Sequence, residues 1–470
     1  MLPMTTKSKP TIISKYIGDR AFYKMVLTIA VPMMVQNGIS NFVNLLDNLM
    51  IGRVGTNALS GVAIANQLIF VYYLLIFGAT AGVGIFTAQY FGLGDVNGVR
   101  ETFRFKIIVN IFFSALSILI LYLFSEPLIG LFLKGEGSPS DAAETLAIGS
   151  DYMYIMLIGL IPVGICNAYS GTLKDIGQTR VPMMASLAAI LVNLVGNALL
   201  IYGLMGLPAL GATGAAIATV ISRFVELAIL AIYTASHKTA YPFIIGAFKH
   251  FSVPLHMVKK YVLKSLPLVA NESLWALGTT MMNQCYSYRS LEAVAALNIQ
   301  STIWNLMGVS FLAMGEAVGI VVGHILGSGN IDKAKDHASK MIAFTIFWGV
   351  LFGIGMVIIA PFFPLLYKTS DTIRSMAASF IAVTGIFMPF CACMHASYFT
   401  IRSGGNTVIT MLFDSCFMWA ISVPTAFVLS RYTGMSVFYM LLIVQSLDLI
   451  KCLVGVLMVK SGIWAKNIVK

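Results

Sequence analysis

The stretch MVLTIAVPMMVQNGISNFVNLLDNLMIG, residues 25–52, carries no charge between Lys24 and Asp47. As a helix it is long enough to cross a membrane, because the roughly 30 Å of hydrocarbon needs only about 20 apolar residues. Asp47 is therefore the residue to explain. A carboxylate in or beside hydrocarbon is costly, and its presence there is a functional signal by default.

The rest of the chain has the same character. Of its 470 residues 58% are hydrophobic and 10% charged, whereas soluble domains carry about 25% charged residues; mean hydropathy is +0.86. Windows of spanning length recur twelve times between charged or Gly/Pro clusters. They are continuous and rich in Leu, Ile, Ala and Gly, unlike the alternating segments of about ten residues in a transmembrane β-barrel. The expected fold is an all-α integral membrane protein of twelve transmembrane helices.

The formal charge of +11 does not point to nucleic acid. Of the 30 Lys and Arg, only Arg223 and Lys451 are placed within the spans, the rest going to loops and tails. With the N-terminus inside, 22 fall on the inward side and 6 on the outward side. This bias predicts both termini in the cytoplasm and a cell (plasma or inner) membrane location, with the basic side facing anionic lipid. The N-terminal 24 residues are polar and the first apolar stretch is long enough to span, so no cleavable signal peptide is expected. Cys166, Cys285, Cys391, Cys393, Cys416 and Cys452 all fall in predicted spans and read as small apolar residues rather than disulfide partners or metal ligands.

A shift of 235 residues places Pro32 on Pro267, Ala58 on Ala293 and Ile64 on Ile299, and GVGIFTAQYFGLGD (82–95) over AVGIVVGHILGSGN (317–330). A shift of 228 pairs TLKDIGQT (172–179) with TIRSGGNT (400–407). Each half then contains six helices and keeps the same orientation, so the pseudo-twofold axis should follow the membrane normal, with a ligand cleft between two six-helix bundles. The expected organisation is an N-tail (1–24), an N-terminal bundle (25–236), a cytoplasmic linker (237–260), a C-terminal bundle (261–458) and a C-tail (459–470).

Together with LLDNLMIG ending the first helix, GTLKDIGQT after the fourth, NLVGNALLIYGLMGLPALGATGAAIATVIS across the fifth and sixth, and LPLVANESLW opening the seventh, this organisation resembles the MATE (multidrug and toxic compound extrusion) family along essentially the whole chain. The resemblance implies export of amphipathic, often cationic compounds in antiport with H+ or Na+, by rocking between inward-open and outward-open states. It implies no cofactor beyond the coupling ion, no enzyme activity, and a monomer in the lipid bilayer.

The resemblance also assigns residues. Asp47 matches the acid of the N-terminal bundle, and a buried carboxyl can hold a proton and release it when its surroundings hydrate. Asn193 and Asn197, four apart and so on one helix face, match a polar cluster together with Thr219; the alternative is asparagines joining helices. One branch, the DinF-like one, has aspartate where this chain has Asn197. Glu272 matches an acid of the C-terminal bundle in NorM-like members, where Na+ is a candidate ligand. The second acid of that branch is missing, PFCACMHAS offering Cys391, Cys393 and His395 instead, which favours protons. Pro32 frees a backbone carbonyl and is a candidate gate, while Asn271, Asn283, Gln284 and His395 are candidate cavity residues. Glu226 is near Arg223, three residues away. Packing or interface roles are expected for Glu316 and Asp448, toward cytoplasmic helix ends, and for Asp414.

Two other functions remain open at this stage. A lipid-linked oligosaccharide flippase of the same superfamily would need several intramembrane cations for pyrophosphate. A membrane-embedded enzyme would need a pattern such as H-E-x-x-H, but His237, His250, His256, His324, His337 and His395 are scattered.

Overall fold

The computed structural model describes residues 15–133, 138–249 and 251–470; residues 1–14 of the N-tail, four residues of the acidic loop (134–137) and His250 lie outside the described residues. The described chain forms twelve long helices: α1 (Arg20–Gly52), α2 (Thr56–Leu93), α3 (Val96–Phe132), α4 (Pro139–Asp175), α5 (Arg180–Tyr202), α6 (Gly211–Ser236), α7 (Leu255–Ser287), α8 (Leu291–Gly327), α9 (Ile331–Ile359), α10 (Asp371–Ser403), α11 (Thr407–Tyr432) and α12 (Val437–Ser461). Among the described residues there is no strand. Helices satisfy their own backbone donors and acceptors, as a chain in hydrocarbon must. The longest, α2, has 38 residues, about 57 Å at 1.5 Å per residue, so its ends reach beyond the hydrocarbon.

Eleven of the twelve helices are both long and apolar enough to span by composition. The exception is α7, and it corrects the expectation of twelve apolar windows. It begins earlier than the sequence reading placed it and carries Lys259, Lys260, Lys264, Asn271, Glu272, Asn283 and Gln284. α7 is thus a polar member of a twelve-helix membrane fold. α1 continues unbroken through Pro32. α11 is irregular, with π-helical segments at Leu412–Cys416 and Met418–Ser422.

The repeat is visible in the turns. Gly94 and Gly329, paired by the 235-residue shift, have φ of +82° and +86°; Gly177 and Gly405, paired by the 228-residue shift, have φ of +81° and +78°. Only glycine adopts this left-handed backbone without a Cβ penalty. Asp95 then accepts from the backbone N–H of Asn97 and Gly98, at 3.0 Å each, to cap α3, and Asn330 accepts from Lys333 N at 3.1 Å to cap α9. Both turns stop one helix and start the next with the same chemistry.

The described residues form two compact units: an N-terminal unit of residues 32–275 with Val469, and a C-terminal unit of residues 15–31 and 276–468 with Lys470. In the N-terminal unit, α1 to α6 share one apolar core that includes Ile51, Ile69, Tyr72, Leu121, Met153, Ile201 and Ala216. The first part of α7 joins this unit, with Tyr261 stacked edgewise on Phe86 at 4.9 Å and Ser265 donating to the Ala79 carbonyl at 2.8 Å. In the C-terminal unit, Tyr286, Ile303, Phe311, Met356, Phe380, Met388 and Met440 form the corresponding core. The start of α1 packs there, with Tyr23 against Phe344 at 4.8 Å and Phe22 against His337 at 5.4 Å. Residues 462–470 are more than a polar tail: the Trp464 ring is buried, and Asn467 donates to the carbonyls of Leu326 and Gly327 at 2.9 and 3.0 Å.

Lys106 also departs from its sequence reading as a loop residue. It is 1% exposed within α3, and its ammonium lies 2.5 Å from Asp175 at the end of α4 and 3.4 Å from the Thr172 hydroxyl. A buried ammonium left without its counter-ion costs about 3–5 kcal/mol. Asp175→Asn should therefore destabilise the protein by about that amount, while Lys106→Met combined with Asp175→Leu should restore most of the loss. Unfolding in detergent measures both, and an Asp175→Asn variant as stable as the wild type would show that the pair holds nothing.

Candidate ion-coupling site

Four of the residues singled out in the sequence meet in the N-terminal unit. Asn197 on α5 donates from Nδ2 to Asp47 Oδ1 on α1 at 2.7 Å and lies 3.3 Å from Asn193 Oδ1; Asn193 Nδ2 in turn donates to the Thr219 hydroxyl on α6 at 3.1 Å. Asn197 is 1% exposed and Asn193 6%, so the chain of bonds leads from a half-buried carboxylate into the packed interior. The spacing of four residues on α5 puts both amides on the face toward α1 and α6.

The chemistry of this row suits a change in protonation. In the observed orientation Asn197 offers N–H to the Asp47 carboxyl group, as suits its charged form, and its own Oδ1 is buried without a hydrogen-bond partner. Rotating the amide would present that oxygen to the O–H of a protonated Asp47, since a carboxamide carries donor and acceptor on one plane. A carboxamide can thus serve either form, whereas an aspartate at this position would add a second ionisable carboxyl. Arg223 and Tyr152 lie within electrostatic range of Asp47. Arg223 is engaged with Glu226 at 2.9 Å, and the Tyr152 hydroxyl donates to Asn66 Oδ1 at 3.2 Å. The spacing of Arg223 and Glu226 allowed their contact, which the structure makes.

The other candidates are dispersed. Pro32 begins the N-terminal unit. Asn271 is buried and Glu272 half-buried in the part of α7 belonging to that unit, whereas Asn283 and Gln284 are exposed and belong to the C-terminal unit. Glu272 and His395 likewise fall in different units. Glu316 is half-buried on α8.

His395 has a different neighbourhood, one that sequence reading did not assemble. Its ring lies 5.3 Å from that of Phe311, within electrostatic range of Asp414 and Lys451. Lys451 on α12 pairs with Asp414 on α11 at 2.6 Å, and Cys391 on α10 donates to Asp448 on α12 across 3.9 Å. Two readings are corrected here. Asp448 sits midway along α12 rather than toward its end, and Cys391 is a polar partner of a carboxylate rather than only a small apolar residue. All six cysteines are free thiols. Three successive helices build this cluster from residues spread between Cys391 and Lys451, so no local motif announces it.

A cavity of about 580 Å³ in the N-terminal unit is lined by Ile118, Tyr122, Tyr154, Pro162, Phe224 and other apolar groups. None of the candidate polar residues lines it, and its chemistry suits hydrocarbon.

The MatE family profile matches residues 32–199 and again 267–428, so the two matches start at Pro32 and Pro267. The chain belongs to the MatE family. The double match is the internal repeat, beginning at the same two prolines. Members of the family are transporters, and this one is a multi-pass membrane transporter rather than an enzyme. Its relatives include a probable multidrug resistance protein NorM of Thermotoga maritima, 25% identical with 87% of this chain and 86% of that one covered. Multidrug resistance protein PmpM of Pseudomonas aeruginosa is 23% identical, with 88% and 85% covered. In fold the chain is similar to an outward-facing multidrug resistance MATE transporter of the MOP superfamily, with a TM-score of 0.84 at 18% identity over 97% of this chain and 100% of that one. A MOP superfamily transporter from Pyrococcus furiosus gives 0.81 at 18% identity, over 97% and 99%.

Within this MatE chain, the order of bonds from Asp47 inward makes a graded prediction. Asn197→Ala strips the donor from Asp47 and from Asn193 together, and should cost about 1–3 kcal/mol. Asn193→Ala, which leaves the Asp47 contact in place, should cost less. Unfolding midpoints in one detergent compare them, and the reverse order would mean that the row is not organised from Asp47.

Proposed function

We propose that the protein is a secondary active efflux transporter that exports amphipathic, cationic compounds in antiport with H+, by alternating access. The observation carrying this reading is Asp47, a carboxylate on a membrane-spanning helix bonded to the buried Asn197 amide. The multidrug resistance proteins among its relatives support the substrate class. Asp47 serves as the group that exchanges a proton for a substrate cation, with Asn197, Asn193 and Thr219 orienting it. The charge bias of the loops supports cytoplasmic termini and a plasma or inner membrane location, and a monomer has all the parts that this mechanism uses.

Protons fit Asp47 better than sodium. A hard metal cation gathers several oxygen ligands, whereas Asp47 receives an amide N–H and lies in range of the Arg223 guanidinium. If sodium couples transport, Glu272 with Asn271 on α7 is the place to expect it. The flippase alternative is weakened by the cations themselves: Lys106, Arg223 and Lys451 are each paired with a carboxylate, which occupies the charge that a pyrophosphate would need.

The test is ethidium efflux from proteoliposomes under an imposed pH gradient and, separately, a sodium gradient. Wild-type efflux should follow the pH gradient, and Asp47→Asn should reduce it to background while unfolding at the wild-type midpoint. Efflux undiminished in Asp47→Asn would remove Asp47 from coupling, and efflux driven only by sodium would move the site to Glu272.

A further inference from the structure

The two units contain a similar electrostatic arrangement made from different helices. In the N-terminal unit an ion pair, Arg223–Glu226, lies near one further carboxylate, Asp47, whose bonded partner is the neutral Asn197. In the C-terminal unit an ion pair, Lys451–Asp414, lies near one further carboxylate, Asp448, whose bonded partner is the neutral thiol of Cys391. The repeat does not impose this likeness, because the 235-residue shift places Met282 opposite Asp47. In each of these two clusters one cation is balanced by one carboxylate, and a second carboxylate is left to be neutralised by something else.

What can neutralise Asp448 follows from what faces it. From α10 comes Cys391; from α11 comes Asp414; from α12 itself come Lys451 and Cys452; and from α7 comes Tyr286, whose buried hydroxyl has no hydrogen-bond partner, while His395, one turn on from Cys391, lies in range of Asp414 and Lys451. This set is poor for a metal cation, which seeks several oxygens and would meet the Lys451 ammonium. An organic cation meets the same repulsion. A proton needs only one lone pair. A thiol is both a weak donor and a weak acceptor, so Cys391 can face the charged carboxylate or the acid. The position also matters, since midway along a spanning helix a charged carboxylate depends on water or a counter-ion. Lys451, lying over the Phe413 ring at 5.5 Å, is already bonded to Asp414. The helix carrying Asp414 is π-helical at that point, a feature often found where a helix serves function rather than packing.

We propose that Asp448 is a second proton carrier of the transport cycle, held midway along α12 beside the Lys451–Asp414 pair. It takes a proton from water when its surroundings hydrate and returns it to water on the other side of the cycle, in parallel with Asp47. Lys451 and Asp414 are positioning residues that hold the ammonium near Asp448 without neutralising it. The proposal rests on the reading of the protein as a proton-coupled exporter, and its test is chosen to be independent of transport.

Infrared difference spectra of the purified protein in lipid, taken across pH, report protonation through the carboxyl C=O stretch. Subtracting Asp448→Asn from the wild type isolates Asp448 from Asp47 and Glu272. The expected result is a carboxyl band that appears as pH falls and is absent from Asp448→Asn; Asp448→Glu, which keeps the carboxyl, should shift the band instead of losing it and serves if the asparagine variant folds poorly. The midpoint should move in the double variant Asp414→Asn, Lys451→Met. A wild-type spectrum with no titrating band assignable to Asp448 would overturn the proposal, and an unmoved midpoint in the double variant would overturn the positioning role. Proton release on binding tetraphenylphosphonium in weak buffer gives the functional reading: Asp448→Asn should release one proton fewer per bound cation than wild type, and equal release would overturn coupling through Asp448. Wild-type protein that shows no gradient-driven ethidium efflux, yet a titrating Asp448 band, would defeat the exporter reading and leave the protonation site standing.

Discussion

The cost of charge in hydrocarbon organises this protein. With little water to solvate them, ionised side chains on spanning helices must find partners inside the fold, and three cations here have done so. Lys106 meets Asp175, Arg223 meets Glu226 and Lys451 meets Asp414. The pairs at Lys106 and Lys451 each join two different helices, so breaking one would both strand a charge and loosen a helix contact. The pair at Arg223 lies within α6 alone and fixes the guanidinium near α1 rather than joining two helices.

These pairs also define what is left over. Asp47 and Asp448 are held by an amide and a thiol, groups with no charge to offer. A neutral partner tolerates two protonation states where an ion pair favours one. The ion pairs and the two carboxylates with neutral partners thus follow from the same constraint with opposite outcomes. Where the counter-ion is covalently part of the fold, the site is structural; where it is missing, the site depends on a proton or ligand.

Much of the fold was legible because its signals are local. Spanning length is read from twenty consecutive residues, and the turn glycines with their Asp95 and Asn330 caps are read from four or five. The double family match starting at Pro32 and Pro267 agrees with the repeat deduced from those turns. The polar start of α7, with Lys259 and Lys260, is hidden from a hydropathy window, in which polar residues that pack inside a membrane protein look like loop residues. The same holds for Lys106.

The sites were legible only as far as resemblance reached. Asp47, Asn193, Asn197 and Thr219 were gathered by their match to a family pattern, and the structure brings them into one bonded row, but neither Tyr152 nor the nearby guanidinium was part of that pattern. The Asp448 cluster had no pattern to match. Cys391, Asp414 and Lys451 come from three helices, and each has an ordinary reading alone: a small apolar thiol, a carboxylate near a helix end, a snorkelling lysine. Their meaning is a property of the set. Two of the three can cancel each other's charge only because α11 and α12 are adjacent in the fold, and that cancellation leaves the fourth member, Asp448, without a counter-ion. Sequence shows how many charges enter the membrane. Which of them remain to be neutralised is decided by helix packing, and it is on those that an ion gradient can act.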